Sequence, residues 1–380
     1  MSASAPIEGF CDPRFAAVQA AFEENFRTNG EVGAAVALFL DGKPMVDLWG
    51  GWADGARTKP WRKDTIVNMN SVAKEVTAIL LMRLVDRGQV DLEAPVARYW
   101  PEFAAAGKDK LTVRQLMAHL SGLPSVEPVQ RGIAYHWDRM VAALASQPPQ
   151  WPIGTPCYHA FTYGHLIGEI IRRVSGQSVG QFLRAELCEP FGFDYHIGLT
   201  PEEDARRAEF LRDPNHANMR GIEKLETVFA RSFAVVGVDE DFNSPDWRFR
   251  ELPSVNGHGN ARAIAKLCAA LANGGSLDGF TVLSPKALGA AVTEQWWAEE
   301  KMGRIMRMGL GLLLNGVARE GGFNMGPNPE SFGFFGAGGH VGIADPVAKI
   351  GFCYTMNAMN AARDFGHRAN AMIEAAFQGA

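Results

Sequence analysis

Residues 68–85 read NMNSVAKEVTAILLMRLV, and the fold follows from how this stretch is interpreted. Val76, Ile79, Leu80, Leu81 and Leu84 recur at helical spacing with little polar surface between them, so 71–85 is expected to be a helix inside the protein. Asn68 and Asn70 stand where cap residues belong. A serine at the start of such a helix has a free backbone N–H, aided by the helix dipole, that can face a developing oxyanion. Lys74 follows Ser71 in the chain's only Ser-x-x-Lys. Residues three apart share a helix face, so the amine is within reach of the hydroxyl. At the mouth of an apolar helix a lysine is partly desolvated, which lowers its pKa and makes a proton-accepting amine available. The alternative is a lysine that snorkels to water from the helix end. A second polar group beside the pair decides between them.

The candidate for that group is Tyr158, in Gly154-Thr155-Pro156-Cys157-Tyr158-His159-Ala160, where a Pro/Gly turn leads into a helical run over 163–174. A tyrosine presented at such a junction can relay a proton between nucleophile, lysine and leaving group. The alternative is a half-buried packing tyrosine, and Tyr163 competes for the same role.

Outward from this centre, residues 33–40 are apolar, Asp41-Gly42 is a turn dipeptide, and 44–50 resume an apolar, aromatic run. Together they read as a β-hairpin, preceded by a helix over 15–26. From about residue 92 to 256, helical stretches alternate with Pro- and Gly-bearing loops and few strands, a mostly helical insertion. Residues 261–272 again read as helix, 308–314, 332–344 and 349–356 as strands, and 362–377 as a closing helix. Strands at both ends of the chain point to one sheet assembled from both.

Composition limits the function classes. In 380 residues with 47% apolar and 21% charged side chains there is ample core, as one large core or two packed subdomains. The net charge of −5 and the isolated basic pairs Arg172-Arg173 and Arg304 with Arg307 argue against nucleic acid as a partner. Neither an export leader nor a membrane span is signalled, which places the expected location in the cytoplasm. Cys11, Cys157, Cys188, Cys268 and Cys353 are scattered and lack a C-x-x-C pair, as for reduced thiols. The nine histidines show no H-x-x-x-H or H-E-x-x-H, so neither a metal nor another cofactor is implied.

Ser71-x-x-Lys74, His119-Leu-Ser-Gly-Leu-Pro124, Trp151-Pro-Ile-Gly-Thr155 leading into Tyr158, and Phe335-Gly-Ala-Gly-Gly339 with Ala344-Asp-Pro346 resemble the family of class C β-lactamases, DD-peptidases and family VIII carboxylesterases. The markers run in family order from about residue 30 to the C-terminus. The resemblance implies an α+β fold: an antiparallel sheet flanked by helices, with a mostly helical subdomain and a site in the cleft between them. The division expected is 1–77 with 257–380 for the sheet domain and 78–256 for the helical one. By the same resemblance Ser71 is the acylated nucleophile, Lys74 the base and Tyr158 the first residue of the Y-x-N element. The K-T-G element falls on Phe334-Phe335-Gly336, and the second oxyanion donor is the backbone N–H of Ala337, opposite that of Ser71.

Two positions depart from the pattern. Ala160 replaces the Y-x-N asparagine and Phe334 the K-T-G lysine, on an alignment anchored by the glycines that follow. An amide and a cation that would hold an anionic substrate are thus absent from their usual places. The expected substrate is therefore a small uncharged ester, with β-lactam or peptide hydrolysis as the alternative and a silent binding protein as the alternative of another class. Without a cation at Phe334, burial has to lower the Lys74 pKa. Phe334, Phe335, Gly336 and His159 are expected to contact substrate. His340 is a weaker candidate, as are Trp137, Trp296 and Trp297 for the pocket wall. His119 reads as structural. Gly176-Gln-Ser178-Val-Gly180 matches the G-x-S-x-G nucleophile elbow, but a helical run precedes it where that motif needs a strand, so Ser178 reads as a helix cap.

Overall fold

Asp41 and Gly42 adopt φ of 49° and 75°, the mirror-image turn whose twist matches that of paired strands. They join β2 (Gly33–Leu40) to β3 (Lys43–Gly51) as the expected hairpin. The computed structural model describes residues 6–213, 224–237, 241–360 and 365–379. The other strands are β1 (Ile7–Cys11), β4 (Val67–Asn68), β5 (Tyr195–His196), β6 (His258–Gly259), β7 (Ser276–Leu277), β8 (Phe280–Thr281), β9 (Trp296–Glu299), β10 (Ile305–Met308), β11 (Leu313–Leu314), β12 (Phe332–Gly336), β13 (His340–Asp345) and β14 (Ile350–Met356). Nine of them form one antiparallel sheet in the order β1-β3-β2-β14-β13-β12-β11-β10-β9. The join of β2 to β14 brings the two ends of the chain together, as the strand pattern implied.

Helices cover both faces. Side chains alternate along β14: Gly351 faces helix Ala261–Ala272, where an added Cβ would come 2.2 Å from Ala269 N. Tyr354 faces the other way and donates to Glu31, which also pairs with Arg368 of helix Gly366–Gln378 at 2.8 Å. That helix packs beside helix Ala16–Thr28. Helix Val72–Asp86 is buried between β12 and helix Tyr163–Ser175, so the segment carrying Ser71 joins the sheet to the helical part of the chain. Between residues 92 and 256 the described elements are helices, the longest Tyr163–Ser175, and the two-residue β5.

The sheet differs from expectation at its β9 edge. The run 308–314 is not one strand: it holds the last residue of β10, a turn at Gly309 to Gly311, and β11. Gly311 has φ of 74°, and a Cβ on Gly309 would meet Ala291 O at 2.3 Å. Strands β1 and β9 had no clear alternating signal. The closing helix is Gly366–Gln378, and residues 362–364 of the expected 362–377 lie outside the described residues.

Candidate active site

Asn70 holds φ of 48°, in the left-handed region that asparagine tolerates. Its side-chain amide donates to Ala337 O at 2.8 Å, tying the residue before the helix to the end of β12. Ser71 is the helix N-cap, yet its side chain makes no capping bond, which leaves Oγ for chemistry. Lys74 Nζ lies 3.1 Å from Ser71 Oγ and donates to Ala160 O at 2.7 Å and Ser254 O at 2.9 Å. The side chain is 0% exposed, so the snorkelling alternative does not hold. Burial, and then the Arg304 cation, keep the Lys74 pKa well below the ordinary lysine value. A neutral amine has two hydrogens and one lone pair. With the two carbonyls taking the hydrogens, the lone pair is left facing the Ser71 hydroxyl.

Tyr158 lies beside this pair, its ring centroid 4.9 Å from Lys74 Nζ. Burial pushes its phenol up, while Arg304 and the Ser71 hydroxyl pull it partly back. Among the described residues its buried oxygen has no hydrogen-bond partner in standard geometry, and the residue lines the cleft beside Ser71. Tyr163 is not equivalent: its hydroxyl donates to Met117 O at 3.0 Å behind the site.

The family model described as Beta-lactamase matches residues 18–377. The chain belongs to the beta-lactamase family. It is 32% identical over 366 residues to Esterase/beta-lactamase LipL of Mycobacterium tuberculosis, covering 93% of this chain and 83% of that protein. It is 39% identical to a crystal structure of a family VIII carboxylesterase, with a TM-score of 0.89 and coverage of 99% of this chain and 100% of the other. A penicillin-binding protein homologue from Caulobacter crescentus is 37% identical, with a TM-score of 0.87 over 99% and 100% of the two chains.

In this beta-lactamase-family chain the remaining candidates separate by position. The cleft beside Ser71 is about 60 Å³, bounded by Phe161, Phe229, Phe233, Trp247, Phe335 and other apolar side chains, with Ala337 at its edge. Phe334 is buried behind it and stacks on Tyr158 with ring centroids 6.2 Å apart. Gly336 acts by its lack of a side chain: a Cβ there would come 2.1 Å from Met69 O, so β12 could not lie so close to the chain before Ser71. His159 does not line the cleft. It is fully buried, with Nδ1 2.6 Å from Cys157 O and Nε2 accepting from Leu123 N at 3.2 Å, and burial lowers its pKa to about 4. His340 is likewise buried, bonded to Thr355 Oγ1 at 2.8 Å. Trp137 and Trp296 bond to Glu169 and Ala118, and neither borders the cleft. His119 stacks on Tyr163 beneath the site, as a structural residue would. Ser178 caps helix Val179–Leu183 by accepting from Gln181 N at 3.2 Å and donates to Glu251 at 2.6 Å, away from Ser71.

Sequence reasoning missed three groups. Ser254 and Ala160 hold the lysine through backbone carbonyls, for which no residue type is diagnostic. Arg304 places its guanidinium carbon 4.5 Å from the Tyr158 ring centroid. It is paired with the buried Glu300, whose other oxygen accepts from Tyr158 N at 2.9 Å. Phe334 brings no cation to the K-T-G position, as expected, and one stands beside Tyr158 from another element, the β9–β10 hairpin.

Proposed function

We propose that this chain is a serine hydrolase that cleaves small carboxylic esters through an acyl-enzyme on Ser71. The observation that carries the reading is Lys74: a buried amine, its hydrogens taken by two carbonyls, facing the hydroxyl of a serine at a helix N-terminus. Lys74 takes the Ser71 proton as Oγ attacks the ester carbonyl carbon. The resulting oxyanion rests on the backbone N–H groups of Ser71 and Ala337. The carbonyl re-forms, the C–O bond to the alcohol breaks, and Tyr158 passes a proton to the departing oxygen. Water, deprotonated by the same Lys74 and Tyr158 pair, then attacks the acyl carbon and frees Ser71.

Ester relatives support this reading: the names of the 32% and 39% identical proteins include esterase and carboxylesterase. The cleft supports it too, as its walls are aromatic and apolar. Those walls come from the helical 78–256 on one side, with Phe161 and Trp247, and from 1–77 and 257–380 on the other, with Ser71 and Phe335; we assign the division of the chain accordingly. Among the described residues no helix is long and apolar enough to cross a membrane. Five unpaired thiols fit a reducing compartment, and we place the protein in the cytoplasm.

The test is intact-mass measurement after exposure to p-nitrophenyl butyrate and to an alkyl phosphonate. The expected result is one adduct, mapped to Ser71 and absent from Ser71→Ala. No adduct with either reagent, or an adduct on another residue, refutes the assignment. Nitrocefin turnover at a rate comparable with p-nitrophenyl butyrate would replace the esterase by a β-lactamase on the same residues.

A further inference from the structure

Arg304 is placed on one border of the cleft with its donors only partly used. Arg304 Nε reaches Glu300 Oε1 at 3.3 Å and Nη2 reaches Met302 Sδ at 3.7 Å. Among the described residues Nη1 has no acceptor. Glu300, by contrast, is well supplied: it accepts from the backbone N–H of Tyr158 at 2.9 Å and of Met302 at 3.0 Å as well as from Arg304. Its charge is spread over several donors, and it fixes the guanidinium without saturating it. A planar, charged fork of N–H groups in an otherwise aromatic cleft matches a carboxylate, and in apolar pockets a few convergent polar groups set orientation.

The place of Arg304 identifies the part of the substrate it meets. It lies over Tyr158, the group proposed to protonate the departing alcohol, so it is on the leaving-group side of Ser71. It also borders a second cavity of about 480 Å³, with Asn324, Phe365, Asn370 and the acidic Glu374 on its walls, so the guanidinium has open space on its far side. We infer that Arg304 is a substrate-binding residue and that the preferred ester carries a carboxylate on its alcohol portion, held by the unused edge of the guanidinium. This rests on Ser71 being the acylated residue.

The test compares 4-acetoxybenzoate with its neutral methyl ester as substrates for the wild type, Arg304→Met and Arg304→Lys. The readout is the ratio of kcat/KM for the charged over the neutral ester, in which any loss common to both substrates cancels. The expected result is a ratio roughly 10-fold or more lower in Arg304→Met, carried mainly by KM, with partial recovery in Arg304→Lys, as for loss of a charge-assisted hydrogen bond. An unchanged ratio overturns the inference. A second measurement uses the wild type alone: 4-hydroxybenzoate is expected to inhibit p-nitrophenyl butyrate hydrolysis more strongly than methyl 4-hydroxybenzoate, and equal or weaker inhibition also overturns it. Either failure with an intact Ser71 adduct leaves the esterase standing, whereas absence of the adduct removes both.

Discussion

Glu75, the residue after Lys74, offers a measurable consequence of burying acid beside base. Its side chain is fully buried, one carboxyl oxygen lacks a partner among the described residues, and the other is 4.0 Å from Cys268 Sγ. Burial raises its pKa from 4.5 to about 8. In the unfolded chain this group loses its proton near 4.5, while the folded protein keeps it to about 8. Between those values the folded state binds more protons, so the contribution to stability is complete below the lower value and is lost as pH rises. Each unit of the window is worth about 1.4 kcal/mol, and from pH 5 to pH 8, with rounding at both ends, the loss is about 3 kcal/mol. Glu75→Gln keeps the shape and removes the titration. Urea unfolding of both proteins at several pH values across the window is expected to show the wild type losing about 3 kcal/mol relative to the variant as pH rises. A difference that stays flat, or that moves in favour of the wild type, refutes the reasoning.

Three further outcomes follow from packing. Gly336→Ala puts a Cβ 2.1 Å from Met69 O; the strand and the segment before Ser71 must part, and a loss of about 1–3 kcal/mol with a fall in kcat is expected from thermal melts and ester assays. Ser178→Ala removes a helix cap and the bond to Glu251, costing about 1 kcal/mol and leaving ester hydrolysis at the wild-type rate; inactivity would move the site to Ser178. Arg368→Leu leaves Glu31 buried without its cation; a loss of about 3–5 kcal/mol is expected at neutral pH, read by denaturant unfolding. Because burial raises the Glu31 pKa, the loss shrinks toward acid pH as the carboxyl takes up a proton.

The parts of the site legible in the sequence are those set by local geometry. The spacing of Ser71 and Lys74 needs only a helix, and the helix was plain from Val76 to Leu84. Helix Ala261–Ala272 was legible to the residue from its apolar pattern; in the structure Asn260 caps it by accepting from Ala263 N at 2.9 Å. Strand β9 was not, since Trp296 and Trp297 read equally well as pocket walls. Their actual partners, Ala118 O for the Trp296 indole and the Arg307 guanidinium over Trp297, lie on other elements.

What could not be read is how chemistry passes from one residue to another. Ala160 lacks the side-chain amide of the family pattern, yet its backbone carbonyl holds the Lys74 amine at 2.7 Å and contributes to setting its orientation. Phe334 lacks the cation of the family pattern, yet Arg304, from a hairpin 30 residues earlier in the chain, brings one to the same tyrosine that Phe334 stacks upon. A motif compared letter by letter records only the residue at each position. The requirement is for a donor, acceptor or charge at a point in the cleft, and backbone groups or side chains of other elements can meet it. For that reason Phe334 and Ala160 alone do not exclude an anionic substrate, and the charge preference of the cleft is decided at Arg304.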